Sequence, residues 1–170
     1  MSVDEIYNAR EVSDHLLTGG QPTEEQLRAA AADGFDTVIN LAPHGGRTAL
    51  ADEAGLVQEF GMTYHHLPVD FDNPTEGDFA AFEEVMTTLP PERRTLLHCA
   101  ANFRVTAFYS LYAMKHLGWS LEDAAAFRAP IWDGSDYPVW AAFISQIERT
   151  IAPCLAPASE LGRKDACPCD

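Results

Sequence analysis

Basic residues are scarce in this chain: 11 lysines and arginines stand against 26 acidic residues, a formal net charge of −15 over 170 residues. A field of that sign repels nucleic-acid backbones and anionic membrane surfaces, so no nucleic acid and no membrane is expected among the partners. Long apolar runs are missing as well. The longest, Val139 to Ile144, has six residues, against the ~20 that a membrane-spanning helix needs. The opening residues MSVDEIYNAREVSDHLL carry acids early and no apolar core of the secretory kind, which makes the cytoplasm the expected location.

Cysteine is sparse and unevenly placed, at positions 99, 154, 167 and 169, and so does not form a disulfide framework. The last three lie in APCLAPASELGRKDACPCD, residues 152–170, which lacks helical periodicity and is expected to be a flexible tail. Cys167 and Cys169 with only Cys154 and no histidine nearby make a poor tetrahedral donor set, so no metal is expected. His65 and His66, adjacent on one strand, point to opposite faces and cannot share an ion.

What remains is an ordinary globular composition, 46% hydrophobic and 22% charged, enough for one domain over residues 1–151 with a sizeable core. Segments with strand character alternate with helical ones. LLTGG precedes a helix opened by Pro22, Thr23 and Glu24. FDTVINLA precedes the helical stretch ALADEAGLVQEFG, and MTYHHLPV precedes a helix capped at Thr75. RTLLHCA then runs into NFRVTAFYSLYAMKHLG, which ends at Gly118. SLEDAAAF after Ser120 and VWAAFISQIERTI complete the helices, and the loop between them is expected to be packed by Trp132 and Trp140. Four alternations predict an α/β fold, a mainly parallel central sheet of four to five strands flanked by helices, with ligands bound beyond the carboxyl ends of the strands.

One strand-to-helix junction carries unusual chemistry. RTLLH passes into the helix through Cys99, Ala100, Ala101 and Asn102, so a sulfur sits at a helix N-terminus. Exposed amides and the positive end of the helix dipole there stabilise a thiolate and cradle an anion. Arg104 adds a fork of donors matched to a tetrahedral oxyanion. His98 faces away from the thiol by strand alternation and is expected to support the loop through a hydrogen bond. Arg47, in the loop after FDTVINLA, is expected at the same end of the sheet.

At these residues the sequence resembles the cysteine-dependent protein tyrosine phosphatases, especially their small bacterial dual-specificity-like branch, whose signature is His-Cys, five residues, then Arg and Ser or Thr. LLTGGQPTEEQLRAAAADGFDTVINL, GMTYHHLPVDFDNPT and LLHCAANFRVTAF look like successive blocks of that branch, over roughly residues 10 to 120. The resemblance implies hydrolysis of a phosphate monoester, on a phosphorylated protein or a small molecule, through a phosphocysteine at Cys99 and without a cofactor. Ala100, Ala101, Asn102, Phe103 and Arg104 would bind the phosphate. An upstream aspartate would protonate the leaving oxygen, either Asp72 or Asp70, which lie 27 and 29 residues before the cysteine in VDFDNPT. Asp72 is preferred, with Asp70 bracing the loop. Such an enzyme has a mildly acidic optimum and is inactivated by peroxide.

The chain departs from the signature in one respect. Only four residues separate Cys99 from Arg104, while Thr106 keeps the seventh position. Two residues apart on a helix is about 200° of rotation, so Arg104 and Thr106 cannot both face the thiolate. The loop also lacks glycine, although Asn102 tolerates a left-handed backbone. A four-residue loop is similar to that of rhodanese-like sulfurtransferases, which carry a persulfide on the cysteine and need no general acid. A third possibility is a non-catalytic module that grips phosphate without turning it over.

Overall fold

The computed structural model describes residues 2–151; the expected tail with Cys154, Cys167 and Cys169 lies outside the described residues. A short 3-10 helix, Val3–Glu5, is followed by β1 (Arg10–Ser13), β2 (Leu16–Gly19), α1 (Glu24–Ala32), β3 (Thr37–Asn40), α2 (Glu53–Glu59) and β4 (Thr63–His66). Then come α3 (Glu76–Thr88), β5 (Thr95–His98), α4 (Phe103–His116), α5 (Leu121–Arg128) and α6 (Pro138–Ile151). The contacts divide the chain between Phe108 and Tyr109 into two compact units.

In the first unit five strands form one sheet in the order β1-β2-β5-β3-β4, with β1 antiparallel and the rest parallel. This is the expected α/β architecture. The central strand is β5, and its register sets Gly19, His98 and Asn40 side by side at the carboxyl ends of β2, β5 and β3. Each strand is four residues long, shorter than the apolar stretches that predicted it, because the ladders stop where the chain turns out into the loops above the sheet. The strand β1 had no sequence signal: REVS is half exposed and polar at the sheet edge. The helix expected over 49–61 begins only at Glu53, since the Asp52 carboxylate accepts the Gly55 N–H and starts the turn there.

Side-chain caps fix the other helix starts. Thr23, Thr75 and Ser120 each close a capping box with the residue three positions on, Gln26, Asp78 and Asp123. One core gathers Leu17, Val38 and Leu96 of the sheet with Leu27 and Ala30 of α1 and Val57 of α2. Phe79 and Phe82 of α3 stack edge-on against Phe108, at 5.7 Å between centroids in both pairs.

In the second unit Arg128, buried, donates to the Ser110 hydroxyl at 2.9 Å and pairs with Glu148 at 3.3 Å. Trp132, in the loop before α6, meets Trp140 of α6 edge-on at 5.6 Å between ring centroids, so the turn is packed as expected. Among the described residues no helix is long and apolar enough to cross a membrane.

Phe82 is fully buried in its cluster, so Phe82→Ala should cost about 3–5 kcal/mol through lost transfer energy and a residual cavity. Urea unfolding followed by circular dichroism measures it.

Candidate active site

The loop from Cys99 to Asn102 leaves the central strand and is held along its whole length by its carbonyl oxygens. The His98 carbonyl accepts the Leu41 N–H at 2.9 Å, that of Ala100 accepts the Gln21 N–H at 3.0 Å, and that of Asn102 accepts the Thr106 N–H at 3.1 Å. The Cys99 carbonyl meets His98 Nδ1 at 3.1 Å, and the Ala101 carbonyl accepts from Asn8 Nδ2 at 3.0 Å. In a planar trans peptide the N–H points opposite to the C=O. Fastening these carbonyls therefore also fixes the directions of the amides of Ala100, Ala101, Asn102 and Phe103.

Two side features allow that path. Asn102 has φ +69°, a left-handed conformation that asparagine accepts more readily than most residues, and its side-chain amide is bound by the Asn8 carbonyl at 2.8 Å and Thr18 Oγ1 at 3.2 Å. Gly20 lies so close that an added Cβ would stand 2.7 Å from the Ala100 oxygen. Neither Asn8 nor Gly20 was marked by the sequence, because their contacts depend on how the N-terminal segment lies against the loop.

Cys99 is a free thiol and is buried. Arg104 and Thr106 engage different parts of the first unit. The Thr106 hydroxyl turns back on its own helix, donating to the carbonyls of Asn102 at 2.8 Å and Phe103 at 3.1 Å. Arg104, 8% exposed, donates through Nη1 to the Val69 carbonyl at 2.9 Å and lies over the Phe71 ring at 5.6 Å. Its Nε is buried and, among the described residues, has no hydrogen-bond partner.

Arg104 and Ala100 line an open cleft of about 410 Å³ together with Gln21 and the 42–49 segment, which includes His44 and Arg47. His44 rests on His66 at 4.0 Å between ring centroids, and His66 Nε2 is 2.7 Å from the Ala42 carbonyl. Asp70 and Asp72 are exposed on the segment after Val69. The Asp70 carboxylate accepts the Asp72 N–H at 2.9 Å and its carbonyl accepts the Asn73 N–H at 3.1 Å, which shapes the turn carrying Asp72. Among the described residues no three histidine, cysteine or acidic side chains are grouped so as to hold a metal ion.

Beneath the loop lies a polar group that sequence reasoning missed. Glu53, at the start of α2, is 2% exposed. Its carboxylate meets His98 Nε2 at 2.8 Å and accepts from Gln21 Nε2 at 2.6 Å. Burial alone pushes this carboxyl up, but the His98 hydrogen bond and charge, with the bonds from Gln21 and the Tyr64 hydroxyl, outweigh it and leave the group below its usual range. Burial pushes the Tyr64 hydroxyl well above its ordinary value, and the neighbouring Glu53 charge adds to that. An acid inside ADEAGL reads as a solvated helix face, and nothing local in the sequence marks it as buried.

No family model matches the chain. A solved structure, the "Putative phosphatase (DUF442)" of Shewanella putrefaciens CN-32, superposes with a TM-score of 0.79 at 33% identity, over 88% of this chain and 94% of that one. The chain belongs to the DUF442 family. The fold of this DUF442 protein is that of the protein tyrosine phosphatases: TpbA of P. aeruginosa, solved in complex with pTyr, matches with a TM-score of 0.66 at 16% identity, over 85% of this chain and 90% of that one. A "Beta-lactamase hydrolase-like protein" of Xylella fastidiosa is 28% identical over 104 residues, 59% of this chain and 24% of that protein. The chain spans about a quarter of the length of the curated relatives it matches.

Two outcomes test this geometry. Gly20→Ala should push the Ala100 carbonyl aside and slow iodoacetamide alkylation of Cys99, on the order of tenfold or more, as a displaced reacting group does. Glu53, held below its ordinary value of 4.5, contributes stability that is present above that value and lost as the pH falls through the folded one. The stability gap between wild type and Glu53→Gln, measured by urea unfolding, should therefore be widest at neutral pH and narrow below about pH 4.5.

Proposed function

We propose that this DUF442 protein is a cysteine-dependent phosphate-monoester hydrolase. The observation that carries the reading is Arg104: a buried guanidinium at the cleft, five residues after a cysteine at the end of the central strand, with one N–H left without an acceptor. A buried charged donor without a partner is costly unless a ligand supplies the acceptor. A phosphate oxygen is suited to it, because guanidinium donors match a tetrahedral oxyanion.

In this reading the Cys99 thiolate attacks phosphorus and forms the S–P bond while the P–O bond to the leaving group breaks. Asp72 gives its proton to the departing oxygen. Water then attacks phosphorus, Asp72 takes the proton back, the S–P bond breaks, and inorganic phosphate and thiolate are released. The amides of Ala100, Ala101, Asn102 and Phe103, with Arg104, hold the equatorial oxygens as charge builds on them. Thr106 supports the loop by fastening the Asn102 carbonyl, His98 by fastening that of Cys99, and Asp70 by shaping the turn of Asp72. The pTyr complex of TpbA supports phosphotyrosine as a substrate to be tried first.

A second reading keeps the same nucleophile. The loop encloses four residues between Cys99 and Arg104, one amide fewer than the phosphatase signature, and a smaller cradle favours a terminal sulfur over phosphate. There the Cys99 thiolate would attack the outer sulfur of a donor such as thiosulfate, forming an S–S bond as the donor's S–S bond breaks and sulfite leaves, and cyanide would then take the outer sulfur as thiocyanate and release the thiolate.

The deciding experiment is release of p-nitrophenol from p-nitrophenyl phosphate at pH 5 to 7, with reductant and chelator present. Turnover should be abolished by Cys99→Ser, and Arg104→Ala should lower kcat/KM on the order of a hundredfold or more. Asp72→Asn should remove the alkaline fall of the kcat profile, with Asp70→Asn as the control. Turnover of thiosulfate and cyanide, with none of the phosphate ester, would establish sulfur transfer instead.

A further inference from the structure

The chain leaving β3 and the chain leaving β5 emerge side by side from the sheet. The ladder sets Asn40 beside His98, and one residue further the Leu41 N–H is bound by the His98 carbonyl at 2.9 Å. The next residue is fixed as well: the Ala42 N–H donates to Asn40 Oδ1 at 2.8 Å, and His66 Nε2 donates to the Ala42 carbonyl at 2.7 Å. From this anchored start residues 42–49 form one wall of the cleft that Ala100 and Arg104 also line.

The charge of that lining is unlike the rest of the chain. Against 26 acidic residues overall, residues 37–51 contain none. Among the described residues no carboxylate lines the cleft, whereas His44, Arg47 and Arg104 do. The arginines divide in the same way. Arg28 and Arg128 meet Glu24 and Glu148 at 3.2 and 3.3 Å, Arg93 lies 3.8 Å from Asp36, and Arg94 donates to the carbonyls of Asp14 and Asp33. Arg47 is exposed and, among the described residues, has neither an ion pair nor a hydrogen bond. Arg104 Nε, buried, has no hydrogen-bond partner among them. Donors left over by the protein thus come from two arginines that line one cleft.

There is room between them for more than a phosphate group. Gly45 and Gly46, between His44 and Arg47, add no side chains to the wall, and a Cβ built on Gly45 would meet nothing within 4 Å. The cleft of about 410 Å³ lies in the range that small ligands fill, roughly 300–1,000 Å³.

We infer that the cleft accepts a small phosphate ester carrying a second anionic group, in particular a second phosphate, and that Arg47 determines this specificity by binding the second group. Arg104 takes the first phosphate, and His44 offers a ring N–H from the same wall in either tautomer. Guanidinium forks match tetrahedral oxyanions in both places. The assignment of the first phosphate to Arg104 rests on the proposed function, whereas binding of two anions does not require that either be hydrolysed.

Binding is therefore read without turnover, by isothermal titration calorimetry of the full chain with methylphosphonate and with alkane diphosphonates whose ends are one to four methylenes apart. The best-fitting diphosphonate should bind about tenfold or more tightly than methylphosphonate, the gain expected of one charge-assisted hydrogen bond. Because Arg47 is exposed, the preference should shrink as salt is added. Arg47→Ala should bring the ratio of affinities close to one, and Arg47→Lys should restore part of it. Equal affinity for all the ligands, binding of none, or a preference that survives Arg47→Ala would overturn the inference. Its failure is distinguishable from that of the hydrolase reading. Turnover of p-nitrophenyl phosphate by a protein with no diphosphonate preference keeps the hydrolase and removes the second site, and an Arg47-dependent preference without turnover does the reverse.

Discussion

The carbonyl oxygens from His98 to Asn102 are the handles by which the whole fold grips one loop. Each is bound by a different part of the first unit: the segment after β3, the ring of His98, the connection after β2, the N-terminal Asn8 and the first turn of α4. A loop between a strand and a helix would ordinarily leave these groups to water and move freely. Here the carbonyls are held in place, so the peptides of the loop keep one orientation. The sheet order follows the same need. Because β5 is central, both neighbouring strands end beside it, and chain emerging from each supplies a partner to the loop.

Behind the loop the first unit holds a chain of buried hydrogen bonds. Asn40, Tyr64 and Gln21 orient Glu53, Glu53 meets His98, and His98 meets the Cys99 carbonyl. A buried hydrogen-bonded pair of this kind adds little net stability over a well-packed apolar one, since desolvation offsets much of the attraction. Its value lies in fixing one arrangement of donors. Arg104 differs from this group, because one of its donors has no hydrogen-bond partner among the described residues.

Much of the fold could be read before the structure. Alternating apolar stretches marked β2, β3, β4 and β5, and Thr75, Ser120 and Gly118 marked helix ends, because capping and turn chemistry are local. The edge strand β1 could not be read, since a polar four-residue strand is defined by its partner and not by its own pattern. The site divides the same way. Cys99, Arg104 and the left-handed Asn102 announce themselves by type and spacing. Glu53, Gly20 and Asn8 do not, because their roles come from distant segments brought beneath and beside the loop, and an acidic residue in a short helix ordinarily faces water.

The central claim is that Cys99 takes phosphate covalently while this loop holds the oxygens. Intact-protein and peptide mass spectrometry of the protein, quenched in acid after exposure to a phosphate monoester, tests it most directly. The account predicts a single phosphate on the peptide containing Cys99, absent from Cys99→Ser and enriched when Asp72→Asn slows hydrolysis of the intermediate. Product formation with no phosphate on that peptide under any quench, or a persulfide in its place after exposure to thiosulfate alone, would contradict it.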